Sequence, residues 1–132
     1  MRGLHEEVAA WLDEFALCVR NRDIARGREM FDSKCFAFGT RNSCLDGLDA
    51  LVSAQWEPTW LLTNGFHFAD ETIHMSMSDD LTQASVAALW SSYPDEELDR
   101  PVRTGRATFV LRHQERWRCI HSHLSYTPSG AL

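Results

Sequence analysis

Along residues 4 to 21 the apolar positions Leu4, Val8, Trp11, Leu12, Phe15, Cys18 and Val19 recur at three-and-four spacing, with Glu6, Glu7, Asp13, Glu14 and Arg20 between them. That period predicts an amphipathic helix with one stripe to cover. Asn21-Arg22-Asp23 interrupts it, and Asp23 is placed to cap a short second helix from Ile24 to Met30. Cys35-Phe36-Ala37-Phe38-Gly39 reads as a short strand ending in a turn, and residues 40 to 47 as a polar loop. Leu48, Leu51, Val52, Gln55 and Trp56 suggest a third helix that Pro58 stops or kinks. If the helix resumes past the proline, Trp56 and Trp60, four apart, stack on one face; otherwise they line the helix exit. From Phe66 the period shortens to two. Strands are predicted over residues 66 to 77, 83 to 93, 102 to 112 and 117 to 125, at the spacing of an antiparallel meander.

The second of these strands, Gln83 to Trp90, is apolar on both faces and calls for cover on both. Three helices cover one face of a sheet. The other needs a partner, and a homodimer through the sheet is the economical solution. The chain of 132 residues reads as one domain, with residues 126 to 132 as a loose tail. Apolar residues at 44% and charged residues at 24% describe an ordinary globular protein. No apolar run approaches the roughly 20 residues that span a bilayer, and Met1 to Glu7 lacks the regions of a signal peptide, so the expected location is cytoplasmic, with no membrane partner.

Net charge is −6 but uneven: residues 1 to 99 carry 7 basic and 18 acidic side chains, whereas residues 100 to 132 carry 6 and 1. Overall acidity argues against a nucleic-acid partner, since phosphate-backbone affinity requires clustered cations. Cys18, Cys35, Cys44 and Cys119 have neither C-x-x-C nor finger spacing, so reduced thiols are expected.

The order helix, short helix, strand, helix and four long strands carries the motifs Phe38-Gly39-Thr40, Asp46-Gly47-Leu-Asp-Ala-Leu51, Arg106-Ala-Thr-Phe-Val-Leu111 and Trp117-Arg-Cys-Ile-His-Ser-His-Leu-Ser-Tyr-Thr-Pro128. Over residues 5 to 128 this resembles the SnoaL-like, nuclear-transport-factor-2-like superfamily, which includes ketosteroid isomerases, and within it the subgroup related to kinase association domains. The resemblance implies an α+β fold: a cone-shaped barrel with three N-terminal helices packed on a strongly curved, mostly antiparallel sheet. Such a fold hosts isomerases, dehydratases, hydrolases, cyclases and dimerisation modules, so it does not specify a reaction. Where a ketosteroid isomerase places its oxyanion-hole tyrosine, this chain has Phe15; the family's general-base aspartate falls near Phe38-Gly39, and residues 102 to 112 contain no Asp or Glu. An enolate would find neither donor nor base. The cavity arginines of kinase association domains fall at Thr108 and Leu124, with Arg106 on the face of Thr108 as a substitute.

Taking Thr108 and Leu124 as cavity-facing, period two adds Arg106, Val110, Ile120 and Ser122, and turns His121 and His123 away; a single β-bulge reverses the assignment. The pocket residues expected are therefore Trp56, Trp60, Arg106, Thr108 and Ser122, with His67 or His121 as candidate catalytic bases. Arg103 and Arg106 read either as an anion clamp or as surface partners of Asp95 to Asp99. Cys119, His121 and His123 form a weaker alternative, a soft metal site; packing at the sheet interface is the plainer reading of these histidines. No Gly-rich phosphate loop or strong metal motif is present, and no cofactor is expected. The favoured function is a homodimer binding a small apolar or weakly acidic molecule, whose enzymatic form would be a cofactor-free acid-base isomerase, cyclase or hydrolase. The alternatives are a non-catalytic dimerisation or association module and a metal-binding protein.

Overall fold

A computed structural model describes residues 3–94 and 102–128. The amphipathic stripe forms helix α1 (Leu4–Asn21), which buries Val8, Trp11, Leu12, Phe15, Ala16, Cys18 and Val19 on one side. It ends where Arg22 takes a left-handed conformation, φ 55°, and the Arg22 guanidinium reaches across to the carbonyl of Trp60 (3.1 Å). Asp23 caps α2 (Ile24–Glu29), its carboxylate accepting from the backbone N–H of Arg26 at 3.1 Å.

Pro58 does not stop the third helix. Helix α3 (Leu48–Leu51) continues through a π-helical turn (Val52–Trp56) into α4 (Glu57–Trp60). A proline at position 58 leaves the carbonyl of residue 54 without its helical donor, and Asn42 Nδ2 takes that carbonyl at 3.0 Å. Trp56 and Trp60 consequently stack, with ring centroids 4.7 Å apart and planes inclined by 19°.

Seven strands form one open sheet in the order β2-β1-β7-β6-β5-β3, with β4 also paired to β5. They are β1 (Phe31–Phe38), β2 (Leu45–Asp46), β3 (Asn64–Phe68), β4 (His74–Met77), β5 (Gln83–Tyr93), β6 (Arg103–Gln114) and β7 (Arg116–Tyr126). All pairs are antiparallel except β1 with β7. The stretch 66 to 77, expected as one strand, is two, because a 3-10 turn (Asp70–Thr72) bends the chain between β3 and β4. That turn is stitched to β5 by Ala69 N–H to Leu89 O (2.9 Å) and by Leu89 N–H to Thr72 Oγ1 (2.9 Å). Tyr126 closes β7 and Thr127 N–H bonds the Thr104 carbonyl at 3.0 Å, so the expected tail starts later than residue 126; residues 129–132 lie outside the described residues.

The helices pack on the inner face of this curved sheet, and the core between them is aromatic. Phe15 lies within 6 Å, centroid to centroid, of Trp11, Phe31, Trp56, Trp60 and Phe109. Large flat side chains of this kind contribute most of the buried apolar area in a small domain. The outer face is uncovered: Phe36, Phe38 and Leu89 are 46%, 39% and 48% exposed. The outward positions of β5 are Ser85, Ala87, Leu89 and Ser91, so that strand is apolar on its inner side and mixed on its outer one.

Register across the sheet decides which residues look inward. On β6 the buried positions are Gly105, Ala107, Phe109 and Leu111. On β7, Cys119 lies opposite Leu111 while His121 lies opposite Val110, so Ile120 is an extra residue, a β-bulge. Before it Trp117 and Cys119 point inward; after it Ser122 is inward, and His121 and His123 share the outer face.

Two consequences can be measured. Gly105 lies under the Trp90 ring; a Cβ there would come within 2.3 Å of Trp90 and 2.2 Å of the Ser125 carbonyl. Gly105→Ala should destabilise the protein by roughly 2 kcal/mol or more, as overpacking against backbone does, read as a lower urea midpoint with unchanged slope. Burial pushes the thiols of Cys18 and Cys35 up to about 11, and that of fully buried Cys119 well above its ordinary value. The thiolate is the reactive form, so at mildly alkaline pH a thiol reagent should label the exposed Cys44 first and the other three only on unfolding, which peptide mapping would resolve.

Candidate functional site

A cavity of about 60 Å³ remains between the inner face of the sheet and the helices α1, α3 and α4. Its walls are mostly rings: Phe15 from α1, Trp56 and Trp60 from the third helix, Phe66 from β3 and Trp90 from β5. Each arrives by a local rule. Phe15 belongs to the amphipathic stripe, Trp56 and Trp60 share a helix face because the chain stays helical through Pro58, and Trp90 sits at an inward position of β5, stacked on Phe66 (5.6 Å, 30°).

The polar members fall into two groups. Gln55, 8% exposed, spends its amide on the protein: Oε1 accepts from Arg41 N–H (3.1 Å) and Asn42 Nδ2 (3.3 Å), and Nε2 donates to Thr40 Oγ1 (2.9 Å) and Thr59 Oγ1 (3.3 Å). This clamps the loop after β1 onto the third helix. A Cβ on Gly39 would stand 2.5 Å from Gln55 Oε1, so the clamp needs glycine there. Thr63 is likewise committed, its hydroxyl donating to the Thr59 carbonyl at 2.7 Å.

Ser92, Ser122, Tyr126 and Arg103 are the second group. Ser122 lies deep, opposite Phe109, and its hydroxyl has no hydrogen bond among the described residues. Tyr126 lies opposite Gly105 and packs on Trp90 (5.8 Å). Arg103 stands two residues further along β6, opposite Ser92, and its guanidinium donates to the Leu62 carbonyl at 3.2 Å. Hydroxyls therefore run from the floor to the rim, and a cation sits at the rim. Among the described residues no Asp, Glu or His lines the cavity.

Against the expected residues, Trp56, Trp60 and Ser122 line the cavity and Arg106 and Thr108 do not. Thr108 lies opposite His123, whereas Leu124, which does line the cavity, lies opposite Ala107. Cross-strand partners share a face, so Thr108 and Leu124 are on opposite faces, and Arg106 and Val110 follow Thr108 outward. Neither candidate base is at the cavity: His67 Nδ1 pairs with the Gly65 carbonyl (2.9 Å) and His121 Nδ1 with the Phe36 carbonyl (2.9 Å), both on the outer face. The metal trio is divided by the bulge. Cys119 is buried inward, its S–H directed to the His121 carbonyl at 3.1 Å, while the imidazoles of His121 and His123 stand outside against Phe36 and Phe38. Among the described residues no three His, Cys, Asp or Glu side chains converge as metal ligands. Arg103 is the residue weighed in the sequence that reaches the cavity rim; the acidic partners suggested for it, Asp95 to Asp99, lie outside the described residues.

Gln55 and Tyr126 had no distinguishing signal in the sequence: one looked like an ordinary helix polar residue, the other like the start of a tail. A broader depression of about 450 Å³ lies beside α1 and α2; of its charged side chains, Arg26 is bonded to Glu14 and Glu29, and Glu7 accepts from Trp117 Nε1 at 3.3 Å.

Comparison with known proteins agrees with this fold. No curated protein matches the chain closely enough to lend it an activity. Among solved structures, a nuclear-transport-factor-2-like protein of unknown function from Pseudomonas putida is similar at 24% identity, covering 91% of this chain and 84% of that one, with a TM-score of 0.75. A candidate calcium/calmodulin-dependent protein kinase II association domain from Xanthomonas campestris is similar at 17% identity, covering 98% and 91%, with a TM-score of 0.81. A candidate scytalone dehydratase from Novosphingobium aromaticivorans is similar at 15% identity, covering 94% and 84%, with a TM-score of 0.77. Likenesses at these identities establish the shared fold. The SnoaL-like domain family matches residues 8–129, nearly the whole chain, and the protein belongs to that family.

Proposed function

We propose that this protein binds a small, mainly apolar molecule carrying a weakly acidic group, with the apolar part among Trp56, Trp60 and Trp90 and the acid directed to Arg103. The observation that carries the reading is the composition of one cavity: indole walls, hydroxyls of Ser122 and Tyr126, and a guanidinium at the rim. Pockets for small molecules combine apolar walls with a few placed polar groups. The present volume of about 60 Å³ is well below the roughly 300 Å³ of a typical drug-sized site. Occupancy therefore requires the rim side chains Arg103 and Tyr126 to swing outward. Binding without catalysis is favoured over acid-base chemistry, because a general base must reach the substrate proton, no Asp, Glu or His among the described residues lines the cavity, and His67, His121 and His123 are on the far face of the sheet. Four unpaired cysteines are consistent with a cytoplasmic site of action, and among the described residues no helix is long and apolar enough to cross a membrane.

A second reading concerns the outer face, where Phe36 and Phe38 are exposed and His121 stacks on Phe36 (4.1 Å, 25°). We propose that a second copy of the chain covers it. An isologous contact requires a surface that tolerates itself; this one holds rings, imidazoles and hydroxyls, the Arg112 to Asp32 ion pair already closed within the chain at 3.3 Å, and the Arg106 guanidinium bonded to Ser125 Oγ at 3.2 Å.

Titrating aromatic carboxylic acids, and their uncharged amides, against tryptophan emission tests the first reading. Saturable change with the acids is expected, with Arg103→Gln weakening the acids by about tenfold, equivalent to roughly 1.4 kcal/mol, and leaving the amides unaffected; equal loss for both would remove the role given to Arg103. For the second reading, sedimentation should find a dimer that Phe36→Asp converts to a folded monomer. A monomeric wild type at high concentration would exclude it.

A further inference from the structure

Arg106 and Thr108, turned away from the cavity, face the outer side of β6 beside Ser125 and His123 of β7. Together these four residues line a separate depression of about 280 Å³. Register pairs them directly, Arg106 opposite Ser125 and Thr108 opposite His123, and the Arg106 guanidinium already donates to Ser125 Oγ at 3.2 Å. Every side chain in the group can donate a hydrogen bond, and none is a carboxylate. The paired and alternate neighbours on the same face are Leu89 opposite Arg106, Ala87 opposite Thr108, Thr104, Val110 and His121 one step along, and the Phe38 ring against His123 at 5.5 Å. A guanidinium with no acid among these residues is an anion-attracting arrangement.

We infer that this quartet is a binding site for a tetrahedral oxyanion, the phosphate group of a phosphomonoester or phosphate itself. The layout selects the shape. Directly paired positions on neighbouring strands stand about 5 Å apart, and positions two apart along one strand about 7 Å, so the donors approach from four corners of a rectangle. A phosphate oxygen can be presented to each side of that rectangle. A planar carboxylate has two oxygens about 2.2 Å apart in one plane and cannot be presented to all four corners at once. The site is distinct from the indole-walled cavity on the opposite face and does not depend on what that cavity binds; a second copy paired on the outer face would cover it.

The test is a titration of inorganic phosphate, then of a simple phosphomonoester, into the full chain at constant ionic strength held with chloride, following backbone amide shifts; acetate is the planar control. Saturable shifts centred on Arg106, Thr108, His123 and Ser125 are expected, with phosphate binding more tightly than acetate. Arg106→Gln should weaken phosphate binding by about tenfold or more, the loss of a charge-assisted pair, whereas Arg103→Gln should leave it unchanged. The same titration on Phe36→Asp exposes the face should two copies cover it. Absence of saturable shifts in both proteins, equal affinity for acetate, or insensitivity to Arg106→Gln would each overturn the assignment.

Discussion

A single extra residue in the last strand, Ile120, orders everything that lies on either side of the sheet. Side chains on a strand alternate, so an insertion inverts the face of each residue beyond it. Before the bulge, Trp117 and Cys119 seal the core against Leu111. After it, Ser122 and Leu124 turn into the cavity, and His121 and His123 turn out toward Phe36 and Phe38. Without the bulge the two histidines would occupy the floor of the cavity, beside the cysteine, and the interior would have titratable groups it now lacks.

The second constraint is the Gln55 amide. Four hydrogen bonds tie it to Thr40, Arg41, Asn42 and Thr59, and a fifth, from Asn42, satisfies the Ala54 carbonyl that Pro58 cannot reach. A buried amide of this kind stabilises only when every lone pair and proton is used. Here its full use joins two otherwise unrelated segments, the loop after β1 and the π-turn of the third helix. That junction keeps Trp56 and Trp60 stacked at the cavity wall, so the helix irregularity and the site are one arrangement.

Membership of the SnoaL-like family accounts for the scaffold and leaves the chemistry open, since one fold carries many functions. Within that fold, the chemistry this chain can offer is set by where its polar groups fall. The cavity combines indoles, hydroxyls and Arg103, while the imidazoles of His67, His121 and His123 and the Arg106 guanidinium stand on the outer face. The two faces of one sheet thus offer different chemistry: an apolar enclosure inside, and exposed rings beside an anion-attracting quartet outside.

Local pattern sufficed for the family and most of the elements, but not for the split of residues 66 to 77 into β3 and β4 or for the short strand β2 within the loop of residues 40 to 47. The stripe of α1, the Asp23 cap, the bounds of β5 and the motif around Trp117 follow from period, capping chemistry and local pattern, which act over a few residues. Trp56 and Trp60 were recognisable as wall residues because large rings four apart on a helix share a face. The register of β6 against β7 was not legible, because alternation tells which residues share a face but not which face is inside, and a one-residue bulge leaves almost no trace in the pattern. For that reason Arg106 and Thr108 looked like cavity residues, and only the pairing of strands in three dimensions moved them to the outside, the face on which alternation had already put His121 and His123. Burial, hydrogen-bond saturation at Gln55 and the placing of Arg103 at the rim depend on contacts between segments far apart in the chain, and those the tertiary structure alone decided.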